Sequence, residues 1–167
     1  MFAQNPVFIP GPTNMPEVLR RAADRPTLDH RSPLFAQILH PALAGVKRVL
    51  KSEVAEVFIF PSTATGGWET ALSNTLSAGD TVLAARHGMF SHRWIDMTRR
   101  HGLNVRVIEA PWGEGLPADR FAEALAADTA HRIRAVLVTH NATATGVRSD
   151  IAAVRRARAL GALGIGF

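Results

Sequence analysis

Cysteine is missing altogether from this 167-residue chain. Its absence removes disulfides, thiol catalysis and cysteine-ligated metal sites together. Lysine is nearly missing too: Lys47 and Lys51 are the only two, so arginine carries almost all of the +5 formal charge. No apolar run approaches the roughly 20 residues that a membrane helix needs. The opening MFAQNPVFIPGPTN has neither a basic start nor a long apolar segment, so no secretory signal is expected and a cytoplasmic location is the default. Two familiar phosphate signatures are also absent. Without Gly-Lys-Ser/Thr there is no nucleoside-triphosphate loop, and without G-x-G-x-x-G no dinucleotide fingerprint. The histidines show no metal-ligand spacing; His87 and His92 are five apart, which suits neither a helical pair nor a zinc motif, so no metal is expected.

What remains is a chain with a real core. Apolar residues make up 47%, which excludes a disordered polymer, and the length suits one domain. The arginines are scattered as Arg20–Arg21, Arg99–Arg100 and Arg155, Arg156 and Arg158. Nucleic-acid binding requires basic residues gathered on one face, so these pairs read as solvated helix faces and no nucleic-acid partner is expected.

Residues 2–16 are punctuated by Pro6, Pro10, Gly11, Pro12 and Pro16 and predict an extended arm. A short helix is expected over Pro16–Ala22, with Asn14 as its cap. Ser32 and Pro33 suit the N-cap and first position of a second helix to about Lys51. Its stripe runs Leu34, Phe35, Ile38, Leu39, Ala42, Leu43, Val46, Val49 and Leu50. Pro41 inside it predicts a kink or break. From there strands and helices alternate. Strands are expected at Glu56–Phe60, Thr81–Arg86, Asn104–Glu109 and Arg134–Thr139. Helices are expected at Trp68–Leu76, about Ser91–His101, Pro117–Ala127 and, capped by Ser149, up to Leu160. This alternation predicts an α/β fold with a mostly parallel sheet covered on both faces. Ligands of such sheets sit beyond the carboxyl ends of the strands.

Three loops at that edge carry candidate chemistry. Pro61-Ser62-Thr63-Ala64-Thr65-Gly66-Gly67 joins a strand pattern to a helix start. Its small side chains let an anion approach backbone N–H groups, and its hydroxyls add donors; the same pattern also fits an ordinary strand-to-helix turn. His140 to Gly146 is again small and polar, suited either to ligand contact or to a plain turn at Gly146. The loop from His87 to Trp94 offers Phe90, which could stack on a flat ligand or belong to the core.

Four segments taken together resemble the class V, fold-type I, pyridoxal-phosphate-dependent aminotransferases. They are Gly11-Pro12-Thr13-Asn14, Asp29-His30-Arg31-Ser32-Pro33, Ser62–Leu72, and Thr139-His140-Asn141 through Thr145-Gly146-Val147. The serine–glyoxylate and alanine–glyoxylate branch matches best, supported by Trp68-Glu69 and His140-Asn141. The resemblance implies the three-layer large domain of that fold, incomplete here: an arm and short helix over 1–32 and a partial cofactor domain over 33–167. It implies pyridoxal 5′-phosphate, amino-group transfer from serine or alanine to glyoxylate, and a homodimer. By the same resemblance Thr63, Ala64 and Thr65 form the phosphate turn, Phe90 stacks on the pyridine ring, Thr143 contacts the cofactor, and Gly11 and Asn14, with Pro12, lie near the substrate and the dimer interface.

The sequence departs from that pattern. Ala64 stands where the family has Gly, and Ala142 and Ala144 stand where Glu and Ser are usual. The aspartate that pairs with the pyridine nitrogen is due at about Phe167, and the Schiff-base lysine and small domain are due later. Lys47 and Lys51 precede the first expected strand and do not substitute. No catalytic residue is therefore assigned. The expectation is an N-terminal fragment, inactive alone and poorly soluble. The alternatives are an inactive binding or dimerisation module, or a fragment of a cysteine desulfurase-type or phosphoserine aminotransferase-type enzyme.

Overall fold

The computed structural model describes residues 6–159, and the main chain alone for residues 158 and 159. The expected end of the last helix at Leu160 and the expected strand up to Phe167 lie outside the described residues. The chain divides between Pro61 and Ser62 into two compact units.

In the first unit, α1 (Glu17–Ala23) follows Pro16, which occupies the cap position. Asn14 does not cap it, because its Oδ1 accepts the Val7 N–H at 2.8 Å instead. Glu17 binds Arg20 and Arg21 along the same face. Helix α2 (Pro33–Val49) begins as its sequence dictates: the Ser32 hydroxyl accepts the Leu34 N–H at 3.2 Å and Pro33 takes the first position. Pro41 does not break it, and the helix runs through. Only one internal hydrogen bond is lost there, and the turns on either side hold. No residue of α1 or α2 is buried.

The expected strand over 56–60 does not form. Those residues have no regular structure and pair with no strand among the described residues, and Phe58, Ile59 and Phe60 stay exposed. A β-rich apolar sequence becomes a strand only when another backbone meets its N–H and C=O groups.

The second unit holds the core. Its sheet is β1 (Thr81–Arg86) flanked by β2 (Asn104–Glu109) and β3 (Ile133–Leu137), in the order β2-β1-β3 and all parallel. Helix α4 (Met89–Arg100) connects β1 to β2 and α5 (Ala118–Ala126) connects β2 to β3, while α3 (Ala64–Thr75) precedes β1 and α6 (Ile151–Ala159) follows β3. Central β1 is buried on both faces. Val82 and Ala84 pack with Leu72, Trp94 and Ile95 of α3 and α4, while Leu83 and Ala85 pack with Phe121, Leu125 and Val154 of α5 and α6. Arg134 is an extra residue against β1, since Thr81 faces Ile133 and Val82 faces Ala135. This bulge turns Ile133 towards the α5–α6 layer while Ala135 and Leu137 face α3–α4. Asp128 anchors the start of β3 by accepting the N–H groups of Ile133 at 2.7 Å and Arg132 at 3.1 Å, bonds that lower its carboxyl below the ordinary range.

Two local readings change. Asp150, not Ser149, caps α6, its carboxylate accepting the Ala153 N–H at 2.9 Å. Buried Ser149 turns inward and accepts the Leu116 N–H at 3.2 Å. The loop after β3 also contains a small antiparallel hairpin, β4 (Asn141–Ala142) and β5 (Val147–Arg148).

Candidate functional site

The helix expected from Trp68 begins at Ala64, so the small-residue turn is itself the first turn of α3. Thr63 is the N-cap: its hydroxyl accepts the Gly66 N–H at 3.1 Å and its carbonyl accepts the Gly67 N–H at 3.1 Å. The N–H groups of Ala64 and Thr65 have no partner among the described residues, as the opening of a helix requires. The Thr63 hydroxyl uses one of its two lone pairs on the cap and keeps its own hydrogen to donate. A Cβ on Gly66 would lie 2.2 Å from the Ser62 hydroxyl. The missing side chain is what lets that hydroxyl fold under the helix start. Free N–H groups, hydroxyls and the positive end of a helix dipole together fit an anion such as a phosphate ester.

Phe90 sits in the first turn of α4, directly beyond the carboxyl end of β1. Buried Ser91 pegs that turn, accepting the N–H groups of His87 at 3.0 Å and Gly88 at 3.1 Å while donating to the Gly88 carbonyl at 2.8 Å. Phe90 is half-buried and meets Trp68 of α3 edge-on, with ring centres 6.3 Å apart. Gly88 packs so closely on the hairpin that a Cβ there would come within 3.1 Å of the Ala142 methyl. Contacts therefore run from α3 to α4 and from α4 to the hairpin.

Thr143 lies exposed in the hairpin turn. The Ala142 carbonyl closes that turn by accepting from the N–H groups of Thr145 at 3.1 Å and Gly146 at 2.8 Å, and Gly146 takes the left-handed φ of +71° that glycine favours. Thr63, Ala64, Thr65, Phe90 and Thr143 all belong to the second unit, whereas Gly11 and Asn14 belong to the first. Thr65 and Trp68 also line an open cleft of about 360 Å³ with Arg93, Met97 and Arg100; Glu69 and His101 pair at 3.7 Å on its wall. Neither Phe90 nor Thr143 lines it.

Spacing alone missed Ser91, Trp68 and His87. Ser91 stands three residues after Gly88, the one local signal that pointed to its capping role. His87 is fully buried, with neither ring nitrogen hydrogen-bonded among the described residues, and burial lowers its pKa. Among the described residues no three His, Asp or Glu side chains gather to hold a metal. Lys47 lies on α2 and Lys51 just beyond it, both in the first unit.

The fold itself has solved counterparts. A ureidoglycine–glyoxylate aminotransferase from Bacillus subtilis superposes with a TM-score of 0.85 at 21% identity, over 98% of this chain and 43% of that one. The architecture is thus that of the fold-type I aminotransferase large domain, and it is incomplete. The sequence settles the family: the class V aminotransferase description matches residues 17–164, and the chain belongs to that family. It is 71% identical over 157 residues to an L-aspartate–glyoxylate aminotransferase of Paracoccus denitrificans, covering 94% of this chain and 40% of that protein. It is 50% identical over 151 residues to a serine–glyoxylate aminotransferase of Hyphomicrobium methylovorum, covering 90% and 37%. The chain thus spans about two fifths of the length of the curated relatives it matches. Family membership implies pyridoxal 5′-phosphate as cofactor.

Proposed function

We propose that this chain supplies the phosphate-holding and ring-stacking part of a pyridoxal-phosphate-dependent aminotransferase whose amino acceptor is glyoxylate. The start of α3 carries the proposal: two unpartnered N–H groups and three hydroxyls surround a helix N-terminus, one turn away from an aromatic contact with Phe90. In this reading the N–H groups of Ala64 and Thr65 and the Thr63 and Thr65 hydroxyls hold the phosphate. Phe90 covers one face of the pyridine ring, and the Thr143 hydroxyl bonds a ring substituent. Gly11 and Asn14 serve the substrate side of the arm. When bound, the cofactor supplies an electron sink for the α-carbon of the amino acid. The chain's own groups orient and clamp it.

Relatives named for aspartate and for serine share glyoxylate, so the acceptor is the better-supported half of the reaction. Serine, alanine or aspartate is the proposed donor. The assembly is a homodimer working in the cytoplasm, without nucleic acid or membrane; no described helix is long and apolar enough to cross a bilayer. Neither Lys47 nor Lys51 stands at the sequence position where the family's Schiff-base lysine is due, so the 167-residue chain is proposed to bind without turning over.

Pyridoxamine 5′-phosphate tests this directly, because it carries the same ring and phosphate but forms no Schiff base with Lys47 or Lys51. Saturable binding by calorimetry, much weaker for pyridoxamine and lost in Thr65→Val, is the expected result. Equal affinity with and without the phosphate overturns it.

A further inference from the structure

Trp68 is given no role of its own in the reading above, yet it rides on the helix of the phosphate turn and meets Phe90. It lies one helical turn after Ala64 and Thr65, so it rides on the same rigid turn that presents the free N–H groups. Its ring stacks on Trp94, with centres 5.1 Å apart and planes 13° from parallel. It meets Phe90 at 6.3 Å and 76°, an edge-to-face arrangement. Phe90 and Trp94 are four residues apart on α4 and so share one face of that helix. Trp94 is 4% exposed and cannot move without opening the α3–α4 core. Phe90 is only half-buried, so its backbone is pegged by Ser91 but its ring depends on neighbours for direction.

We propose that Trp68 is a positioning residue: wedged between Trp94 and Phe90, it sets the plane of the Phe90 ring relative to the α3 N-terminus. The distance and tilt between phosphate grip and ring platform are thereby fixed before the cofactor arrives. Edge-to-face pairs have a preferred geometry because the electropositive ring edge is drawn to the electronegative ring face. Leucine at the same place fills space but exerts no such orienting force. The inference rests on the proposed role of Phe90 as ring platform.

A double-mutant cycle on the whole chain tests it, with pyridoxamine 5′-phosphate and inorganic phosphate as ligands and Phe90→Ala as the second change. Trp68→Leu is expected to weaken pyridoxamine 5′-phosphate by about two- to tenfold while leaving inorganic phosphate unchanged. Trp68→Phe, which restores a ring, recovers most of the loss. In the Phe90→Ala background Trp68→Leu has no further effect. In carbon-13 spectra of labelled phenylalanine, the Phe90 side chain holds one rotamer in the parent and averages in Trp68→Leu.

Equal losses with and without Phe90, an equal fall in inorganic phosphate binding, or a Trp68→Phe variant no better than leucine overturns the positioning role while the phosphate reading stands. Should Trp68→Leu fail to fold, Trp68→Met takes its place in the same cycle, with the same expected and overturning results. A parent chain that binds neither ligand overturns the reading of the site, and this inference with it.

Discussion

His87 combines complete burial with two ring nitrogens that find no partner among the described residues. Charging such a ring costs desolvation, which is why its pKa falls below the ordinary histidine value of 6.5. The sign of the pH effect follows. The unfolded chain takes up this proton more readily than the folded one. The contribution of His87 to stability is therefore complete above 6.5 and lost as the pH falls through the lower, folded value. Urea midpoints measured from neutral to mildly acid pH should drop on this account, and His87→Phe should flatten that part of the curve. A His87→Phe chain as acid-sensitive as its parent would show that other groups set the decline. The side chain's residue type was legible in the sequence, but its burial was not. A histidine following a strand reads as loop chemistry until the core around it is known.

At the scale of the element, α3 shows how one hydroxyl serves two ends. Thr63 caps the helix through the Gly66 N–H, and that cap also fixes the helix start whose free N–H groups are proposed to hold the phosphate. Thr63→Ala should lose about 1 kcal/mol of stability, the usual cost of a missing N-cap, and weaken pyridoxamine 5′-phosphate more than pyridoxamine. Thr63→Ser should retain both properties, and denaturant titration with calorimetry reads the pair. Strands Thr81–Arg86 and Asn104–Glu109 match the expected bounds residue for residue, because Gly79 and Gly102 each mark a turn two residues ahead of the strand. Glu56–Phe60 has an equally good local pattern and forms no strand with the described residues. Local composition states what a segment would accept, whereas a ladder also requires a second backbone. The β4–β5 hairpin escaped notice for the opposite reason: two residues per strand are too few to carry a period.

For the molecule as a whole, the unburied apolar surface dominates. Phe8, Val18, Val49, Val54 and Phe58 are each more than 70% exposed. Among the described residues β2 and β3 each have a single strand neighbour, which leaves two open sheet edges. Surfaces of this kind favour association through side chains and through edge pairing. Light scattering behind size exclusion should show concentration-dependent species larger than the 18.0 kDa chain. Phe58→Asp combined with Phe60→Asp should shift them towards monomer and raise solubility. A monodisperse monomer across the concentration range would contradict this and would weaken the proposed dimer.

The amino-acid order alone determined the class of fold, the strand-to-helix rhythm and the two loops that follow β1 and β3 at the sheet's carboxyl edge. These follow from interactions within a turn or a few residues, where spacing is itself the cause. Only the tertiary structure decided that Trp68 stacks on Trp94 and meets Phe90, that Ser149 turns inward while Asp150 caps α6, and that residues 56–60 find no strand partner among the described residues. Each of those depends on which distant atoms arrive within a few ångströms, and no periodicity along the chain records that.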